Sequence, residues 1–491
     1  MKRISILLLV MFLSTGAAEA QDTPTYHGFA PTPVLGWNSW DIFGTTVTEQ
    51  QIKEQADAMA EHLLPSGYQY LTVDIQWYEP ESKRHFYNPN AELSMDEYGR
   101  LIPAEKKFPS AAGGKGFKPL ADYLHSKGLK MGIHIMRGIP RQAVEKNTPV
   151  FGTNVRAADI ALTGSTCPWN PDMYGVDATK EEGRAYYGSI IGMYAEWGVD
   201  FIKVDDISRP YDDVQKAEIE AIREAIDLTG RPIVLSLSPG ATPLEAGEHV
   251  MCHANQWRIT DDFWDRWELL YAMFERLDVW TPYRGPGHFP DADMLPLGVI
   301  DFDRPTNFTR DEHFTLMSLW AIGRSPLIFG GDMTRLDPYT KELLTNPQML
   351  KINQESTNNR QISRDHDLIV WAADAAPCSA AAVPCAAVAV PCDALATSAD
   401  SALCGQDKYV ALFNAQSPAN EGPGTNSAAE ADSTAPSCGL VVRVDLRAIG
   451  IQGPARVTDL WTHKDLGVFE KEFSQKVPFH GAGLYRVTPV R

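Results

Sequence analysis

The sequence lacks the local motifs by which several large enzyme classes are identified. It contains no Gly-rich phosphate loop, no Gly-x-Ser-x-Gly nucleophile motif and no metal-ligand spacing of the zinc-finger or calcium-loop kind. After the N-terminal segment, no stretch approaches the roughly 18 consecutive apolar residues of a membrane-spanning helix. We therefore expect no metal ion, no cofactor and no membrane insertion.

Positive charge is also in short supply. The 491 residues include 44 Lys and Arg against 63 Asp and Glu, which gives a formal net charge of -19 at pH 7. Such an excess of negative charge repels nucleic acids and anionic lipid surfaces. No nucleic-acid partner is expected, whereas a neutral substrate is compatible with this composition.

Cysteine is rare over most of the chain. Of the seven cysteines, five fall in the last quarter, at Cys378, Cys385, Cys392, Cys404 and Cys438. Their spacing matches no zinc pattern, and no histidine cluster accompanies them. We predict disulfide bonds in surface loops, with at least one cysteine left unpaired. The pairing does not follow from the sequence.

The N-terminus has the pattern of a processed targeting segment. Lys2 and Arg3 precede an apolar run over residues 4–13, and Ala18-Glu19-Ala20 forms a small-x-small cleavage site. The run is too short to span a bilayer. We predict a signal peptide over residues 1–20 and a mature protein exported to the periplasm or the extracellular space.

Strand patterns alternate with helical patterns from about residue 33 to residue 350. Helical periodicity begins behind Thr48, a candidate N-cap, and recurs over residues 116–125, 180–196 and 217–228. The predicted strands cover residues 33–40, 67–77, 129–136, 199–204, 232–238, 255–262 and 326–332. Such alternation is typical of parallel βα units, and this length suits a (β/α)8 TIM barrel. We place the barrel at residues 28–356.

The pattern changes after about residue 360. Short strand patterns follow one another without helices between them, which predicts a C-terminal antiparallel β-sandwich domain over residues 357–491. Stretches rich in Ala, Pro, Ser and Cys interrupt it at about 375–405 and 415–437, and we interpret them as loop insertions.

The predicted strand over residues 199–204 ends in two acids, Asp205 and Asp206. In a TIM barrel, catalytic residues lie at the C-terminal ends of the strands. Lys203 precedes Asp205 by two residues, so both side chains point to the same side of the strand, where the cation keeps the carboxylate ionised. The structural interpretation of the same pattern is an Asp that caps a helix or forms a salt bridge with Lys203.

Two further strand ends carry acids beside aromatic or basic residues, Asp74 with Trp77 and Asp262 with Arg258. Two carboxylates in a pocket with Trp side chains suggest sugar hydrolysis, in which one attacks the anomeric carbon and the other protonates the leaving oxygen. Other interpretations remain open. Trp40 and Trp77 could be core residues, and His134 could be a core histidine. Asp261 could be the acid in place of Asp262, or it could cap a helix.

Several short motifs occur in order between residues 30 and 355. They are Leu35-Gly-Trp-Asn-Ser-Trp40, Val73-Asp-Ile-Gln-Trp77, His125-Ser-Lys-Gly-Leu-Lys-Met-Gly132, Trp197-Gly-Val-Asp-Phe-Ile-Lys-Val-Asp205, Trp257-Arg258 with Asp262, Gly285-Pro-Gly-His-Phe-Pro-Asp-Ala-Asp-Met-Leu295 and Leu319-Trp-Ala-Ile322. This ordered set resembles glycoside hydrolase family 27, the family of α-galactosidases and α-N-acetylgalactosaminidases.

The resemblance implies a retaining hydrolase with Asp205 as nucleophile and Asp262 as acid/base. It also implies a sugar subsite lined by Trp40, Asp74, Lys203 and Arg258 and supported by Asp293, with the small residue Ser238 on the loop after the fifth strand. Trp77 is a further substrate-binding candidate because it follows the strand that ends at Asp74. Most of the family has a second Asp where this chain has Ile75, and that acidic pair grips the hydroxyls at C4 and C6 in α-galactosidases. Ile75 disfavours a hydroxymethyl group, and β-L-arabinopyranose is the galactose ring without one. The cysteine pair of the family's active site is also absent, with Ile207 and the segment 137–142 in its place.

The resulting expectation is an exo-glycosidase on terminal α-D-galactosyl residues, with water as second substrate and an oligosaccharide or polysaccharide as partner. A β-L-arabinopyranosidase is the next candidate, followed by an α-N-acetylgalactosaminidase or an α-glucan hydrolase. A carbohydrate-binding protein on the same fold is the non-enzymatic candidate. The sequence does not predict the oligomeric state.

Overall fold

A computed structural model describes residues 25–376, 407–417 and 439–490. Within residues 25–376, eight parallel strands follow one another around one sheet in sequence order. They are β1 (Leu35–Asn38), β2 (Tyr70–Val73), β3 (Lys130–Met136), β4 (Phe201–Asp205), β5 (Val234–Leu237), β6 (Gln256–Arg258), β7 (Phe289–Asp291) and β8 (Leu327–Phe329). The predicted (β/α)8 barrel is confirmed.

The barrel closes between β7 and β8 just beyond the last residue of β7. β1 pairs with β8 directly, whereas β7 reaches β8 through Leu295, which forms a parallel bridge with Phe329. The Leu295 amide donates to the Ile328 carbonyl at 2.7 Å, and the Gly330 amide donates to the Leu295 carbonyl at 3.1 Å. These hydrogen bonds close the seam.

Each barrel strand is followed by at least one helix. The main helices in the described part of the barrel are α1 (Glu49–His62), α2 (Lys118–Ser126), α3 (Glu181–Trp197), α4 (Asp213–Thr229), α5 (Gly247–Met251), α6 (Trp267–Val279), α7 (Arg310–Gly323), α8 (Pro338–Thr345) and α9 (Pro347–Glu355). Thr48 caps α1 as predicted, in a capping box with Gln51. No helix among the described residues has the length and apolarity to cross a membrane.

Two parts of the barrel differ from the sequence prediction. Strand β7 is not predicted, because it has only three residues and its middle residue is Pro290. The segment after β3, to which the sequence patterns assign no helix or strand, forms a small antiparallel sheet. Its strands are Ile139–Pro140, Met173–Val176 and Ala161–Thr166, and short helices lie at Arg141–Lys146 and Ala157–Ile160.

The C-terminal residues that the structure describes form the predicted antiparallel β-sandwich. One sheet contains β9 (Thr357–Asp365), β10 (Leu368–Asp374), β11 (Lys408–Asn414), β13 (Ala455–Asp459), β14 (Asp465–Phe469) and β16 (Ala482–Pro489). The other pairs β12 (Gly439–Asp445) with β15 (Glu472–Pro478). Their facing apolar side chains, such as Val410, Val444 and Phe473, form a separate core.

The predicted insertions lie mostly outside the described residues, as do the five C-terminal cysteines assigned to disulfides. The two cysteines in the described part of the chain, Cys167 and Cys252, are both free thiols.

Candidate active site

A cavity opens at the C-terminal ends of the barrel strands, where the active sites of TIM-barrel enzymes lie. Its wall contains most of the predicted site residues together with aromatic and apolar side chains from the adjoining loops. The lining residues are Trp40, Asp41, Asp74, Ile75, Tyr87, Lys203, Arg258, Asp262, Phe263, Trp264, Asp293 and Met294.

Asp74, directly after β2, lies at one side of this cavity in a buried polar cluster. Its carboxylate accepts from Lys203 Nζ at 3.0 Å and from Asn38 Nδ2 at 2.7 Å. Burial raises the pKa of Asp74, but the charges of Lys203 and His134 and these hydrogen bonds outweigh it and hold the pKa at about 2. Asp74 is therefore an ionised acceptor, suited to sugar hydroxyls.

Asp205, the last residue of β4, lies beside His134. His134 Nε2 is 2.9 Å from Asp205 Oδ2 and donates to it. Burial raises the pKa of Asp205, but the His134 hydrogen bond and the charges of His134 and Lys203 bring the pKa below its usual value. The interpretation of a direct Lys203–Asp205 salt bridge is wrong, because the Lys203 ammonium is bonded to Asp74.

Arg258, the last residue of β6, holds two acids at the other side of the cavity. Its Nη2 lies 2.8 Å from Asp293 Oδ2 and 3.2 Å from Asp262 Oδ1. The guanidinium is buried, whereas 62% of the Asp262 side chain is exposed. Asp262 is thus the carboxylate of this group that an incoming molecule reaches most easily.

Asp293 has the backbone conformation that often marks a functional site. Its φ of 82° lies in the left-handed region, which residues other than glycine rarely adopt. Its carboxylate also accepts from the Phe263 amide at 2.7 Å. Burial raises the pKa of Asp293, opposed by Arg258 and aided by Asp262 and Asp291. The bond to Phe263 fixes the loop that carries Asp262.

Tyr87 is a further residue of the cavity wall, which it shares with Asp74 and Asp262. Burial and then the carboxylates of Asp205, Asp74 and Asp262 raise the pKa of its phenol. Asp205 adjoins this wall through His134, whose Nε2 lies 2.9 Å from Asp205 Oδ2 and 4.0 Å from Asp74 Oδ1. The sequence analysis missed Tyr87, which belongs to the excursion between β2 and α2 and has no strand-end pattern.

Ile75 lies in the cavity wall next to Asp74 and is 2% exposed. Its backbone amide donates to Asp74 Oδ1 at 2.9 Å, which fixes the two residues relative to each other. The side chain contributes only apolar surface at this point of the wall.

Asp41 is a second residue of the cavity wall that sequence reasoning missed. It is 2% exposed, and its Oδ2 is buried without a hydrogen-bond partner in the described residues. Burial and the Asp293 carboxylate raise the pKa of Asp41 well above its usual value. A protonated Asp41 is a hydrogen-bond donor as well as an acceptor. The one feature of the sequence that could have indicated Asp41 is its position directly after Trp40.

Three predicted site residues are not among those that line the cavity, namely Asp205 at the end of β4, Trp77 and Ser238. Trp77 is fully buried, donates from Nε1 to the His134 carbonyl at 2.7 Å and packs against Tyr78 and Phe117. It follows the end of β2 by four residues, where the chain has already turned into the core. Ser238 is also buried, and its carbonyl accepts from the Ile207 amide. The structure thus places Trp77 and Ser238 in the interior and not in the cavity wall.

Direct contacts decide the roles of three residues that the sequence leaves open. Asp261 forms an exposed ion pair with Arg209 at 2.6 Å and caps none of the described helices. His134 is fully buried, as a core histidine would be, yet it bonds to Asp205. Trp40 is partly buried and lines the cavity.

An ion-pair network lies at the ends of β3 and β4, close to Ile207 and the segment 137–142. Arg137, directly after β3, donates from Nε to the Asp206 carbonyl at 2.6 Å and lies 3.0 Å from Asp206 Oδ2. Its Nη1 donates to Glu218 Oε2 of α4 at 3.1 Å. All three side chains are buried. The network therefore links the ends of β3 and β4 to α4.

A TIM barrel that carries paired acids and an aromatic wall at its strand ends defines a glycoside hydrolase. The comparisons with known proteins agree. The profile of the family described as "Alpha galactosidase A" matches residues 32–143 and 175–355, and that of the "Alpha galactosidase C-terminal beta sandwich domain" matches residues 401–487. The chain belongs to glycoside hydrolase family 27.

Relatives in this family differ in the sugar they act on. The β-L-arabinopyranosidase of Geobacillus stearothermophilus, solved in complex with arabinose, is 46% identical, with a TM-score of 0.84 over 95% of this chain and 99% of that one. An α-galactosidase of Cyamopsis tetragonoloba is 30% identical over 70% of each chain. An α-N-acetylgalactosaminidase of Gallus gallus is 29% identical over 67% of this chain and 72% of its own length.

Proposed function

We propose that this protein is a retaining exo-glycosidase that prefers β-L-arabinopyranosides to α-D-galactosides. The observation that carries the preference is the position of Ile75 in the cavity wall beside Asp74. An apolar side chain there offers no acceptor to the 6-hydroxyl of galactose and leaves that hydroxyl without a partner, whereas arabinopyranose has no such group. The 46% identity to an arabinopyranosidase supports the same choice.

In the first step, Asp205 attacks the anomeric carbon as the bond to the leaving oxygen breaks. The pKa of Asp205 is low because His134 and Lys203 oppose its burial, so the carboxylate is ionised and ready to attack. Asp262 donates its proton to the leaving oxygen, and a covalent glycosyl–Asp205 ester forms. The exposure of Asp262 lets the leaving oxygen of the substrate approach its carboxyl group.

In the second step, Asp262 takes a proton from water, and the oxygen of that water attacks the anomeric carbon. The bond to Asp205 breaks, and the sugar leaves with its original anomeric configuration because both steps invert it. Asp74, Lys203, Arg258 and Asp293 hold ring hydroxyls throughout, and Trp40 packs against a face of the ring.

The experiment that tests the sugar preference replaces Ile75 by an acid. We expect Ile75→Asp to lower the ratio of kcat/KM for aryl β-L-arabinopyranoside over aryl α-D-galactopyranoside by roughly 10–100-fold, the usual effect of pairing or orphaning one hydroxyl. Ile75→Leu, which keeps the side chain apolar and its volume similar, is the matched control. An unchanged ratio in Ile75→Asp would show that Ile75 does not select the sugar.

We also propose that the protein acts outside the cytoplasm. The support is the sequence pattern of residues 1–20, with Lys2 and Arg3 before an apolar run and a small-x-small cleavage site. N-terminal sequencing of the exported protein is expected to begin at Gln21, and a protein retained in the cytoplasm with its N-terminus intact contradicts export.

A further inference from the structure

A cluster of ligand-type side chains lies on the helical layer of the barrel, away from the cavity. Glu220 belongs to α4, His249 belongs to α5, and His253 follows α5 by two residues. One ligand atom from each lies within 4.8 Å of the other two, and all three residues are partly buried. The backbone thus brings two imidazoles and a carboxylate together before any ligand is bound.

The separation between His249 and Glu220 fits a shared ion better than a direct hydrogen bond. His249 Nε2 lies 3.4 Å from Glu220 Oε1, which is long for an N–H···O bond. Two atoms that bind zinc at about 2.0–2.1 Å in tetrahedral geometry are roughly 3.4 Å apart. The His249 and His253 rings lie side by side with centroids 4.2 Å apart, so the two imidazoles are neighbours although His253 lies beyond the end of α5.

Hydrogen bonds to the second ring nitrogens prepare both histidines to bind an ion. His253 Nδ1 lies 2.7 Å from the His249 carbonyl. A carbonyl only accepts, so this nitrogen carries the hydrogen and Nε2 keeps its lone pair in the neutral ring. His249 Nδ1 lies 2.7 Å from the Tyr211 hydroxyl. Metal-binding histidines are usually oriented by bonds of this kind.

We propose that Glu220, His249 and His253 bind one divalent transition-metal ion, with Zn²⁺ as the ion best matched to two imidazoles and a carboxylate. Water completes the coordination. Two cations act against tight binding, because Arg184 lies 3.9 Å from Glu220 Oε2 and the charge of Lys216 reaches His249. The site therefore exchanges its ion and is emptied by chelators.

The bound ion has a structural role. It joins α4 to α5, and Tyr211 extends the link to the loop between Asp205 and α4. Because the three ligands meet only in the folded chain, the ion stabilises the native state. It is not a participant in sugar hydrolysis, since its ligands lie on α4 and in and just after α5, and none of them bonds to a predicted site residue.

The test is a calorimetric titration of untagged, EDTA-treated full-length protein with ZnCl₂. We expect the wild type to bind one equivalent of Zn²⁺ more than either His253→Ala or Glu220→Gln. We also expect Zn²⁺ to raise the Tm of the wild type and to leave the Tm of both variants unchanged. His366→Ala, which removes a histidine with a 90% exposed side chain elsewhere on the surface, is the matched control and should bind as the wild type does.

The number of Zn²⁺ equivalents bound by the wild type is compared with the number bound by each variant. The difference separates this site from zinc bound by the cysteines. The Tm of each variant without metal reports whether it has folded, and Glu220→Gln, which keeps the shape of the side chain, decides the matter if His253→Ala has not. Equal stoichiometry and affinity in wild type and Glu220→Gln, or no binding by the wild type, overturns the proposal.

Discussion

At the scale of single residues, the two acids of the site differ in what surrounds them. The Asp205 side chain is 12% exposed and accepts from His134 and from the Asp206 amide, whereas the Asp262 side chain is 62% exposed and lies beside the edge of Arg258. A nucleophile benefits from fixed geometry and a stable charge, and a proton donor must reach a leaving group that enters from solvent. The two environments fit these different tasks.

This difference predicts different responses to substitution. Asp205→Ala should lose at least about 10⁴-fold in kcat on every substrate, because the covalent intermediate can no longer form. Asp262→Ala should retain the first step with an activated aryl leaving group, which departs without a proton, and lose it with an alkyl leaving group. Kinetics of both variants on both substrate types provide the measurement. Equal losses on the two substrate types in Asp262→Ala would remove the acid/base assignment.

Lys107 is a buried lysine whose ammonium group faces uncharged acceptors. It donates to the carbonyls of Thr45 at 2.6 Å and Gln76 at 2.8 Å, and to Ser82 Oγ at 3.1 Å. It therefore ties the loop after Ile75 to the loop after β1. Burial lowers the pKa of Lys107 to about 7, against a small opposing effect of Glu79.

Because the pKa of Lys107 is lowered in the folded chain, the free energy of unfolding depends on pH in a predictable direction. Between about pH 7 and the unfolded pKa near 10.4, the unfolded chain binds more protons at this site, so the free energy of unfolding rises with pH. We expect the difference in the free energy of unfolding between wild type and Lys107→Met to increase over this window. Urea denaturation at pH 7, 8 and 9 measures it, and a flat difference contradicts the account of Lys107.

At the scale of secondary-structure elements, the Arg137 network links two strand ends to a helix. Its buried guanidinium forms ion pairs with both Asp206 and Glu218, so that β3, β4 and α4 are held around one cation. Burial raises the pKa of Asp206 to about 6, although Arg137 opposes the shift. Without Arg137, the buried carboxylates of Asp206 and Glu218 would lose the cation that both of them contact.

We expect Arg137→Met to reduce the free energy of unfolding by about 3–5 kcal/mol, the usual cost of leaving buried charges unpaired. The matched control is Arg209→Ala, which breaks the exposed pair with Asp261 and should cost about 1 kcal/mol or less. Denaturant unfolding of both variants compares the two. Similar small losses in both would mean that the network does not stabilise this wall of the barrel.

The elements also show what a sequence reveals and what it does not. Seven barrel strands are predictable because their buried positions form apolar runs bounded by helices. β7 is not predictable from the sequence, because its three residues with a central proline form no such run. Trp40 and Trp77 both follow strand ends, yet only Trp40 reaches the cavity. His134 looks like a core histidine in sequence. The path of the backbone after each strand decides these cases, and periodicity does not encode it.

At the scale of the whole molecule, the sandwich packs against the barrel on the side of α6 and α7. Trp267 of α6 stacks on His480 with ring centroids 3.6 Å apart, and His480 Nδ1 lies 2.9 Å from Glu312 of α7. Trp461 adds a bond to Ser318 at 3.0 Å. None of these residues lines the cavity, so these contacts support the barrel without forming part of the sugar subsite.

The most direct test of the central claim is a ¹H NMR time course of the wild-type protein with an equimolar mixture of aryl β-L-arabinopyranoside and aryl α-D-galactopyranoside. In one tube the substrates compete, so their relative rates of loss give the ratio of kcat/KM, and the first anomer released gives the stereochemistry. The account predicts that the arabinoside disappears first and that β-L-arabinopyranose appears before its α anomer. Faster loss of the galactoside, or early release of the α anomer of arabinose, would contradict it.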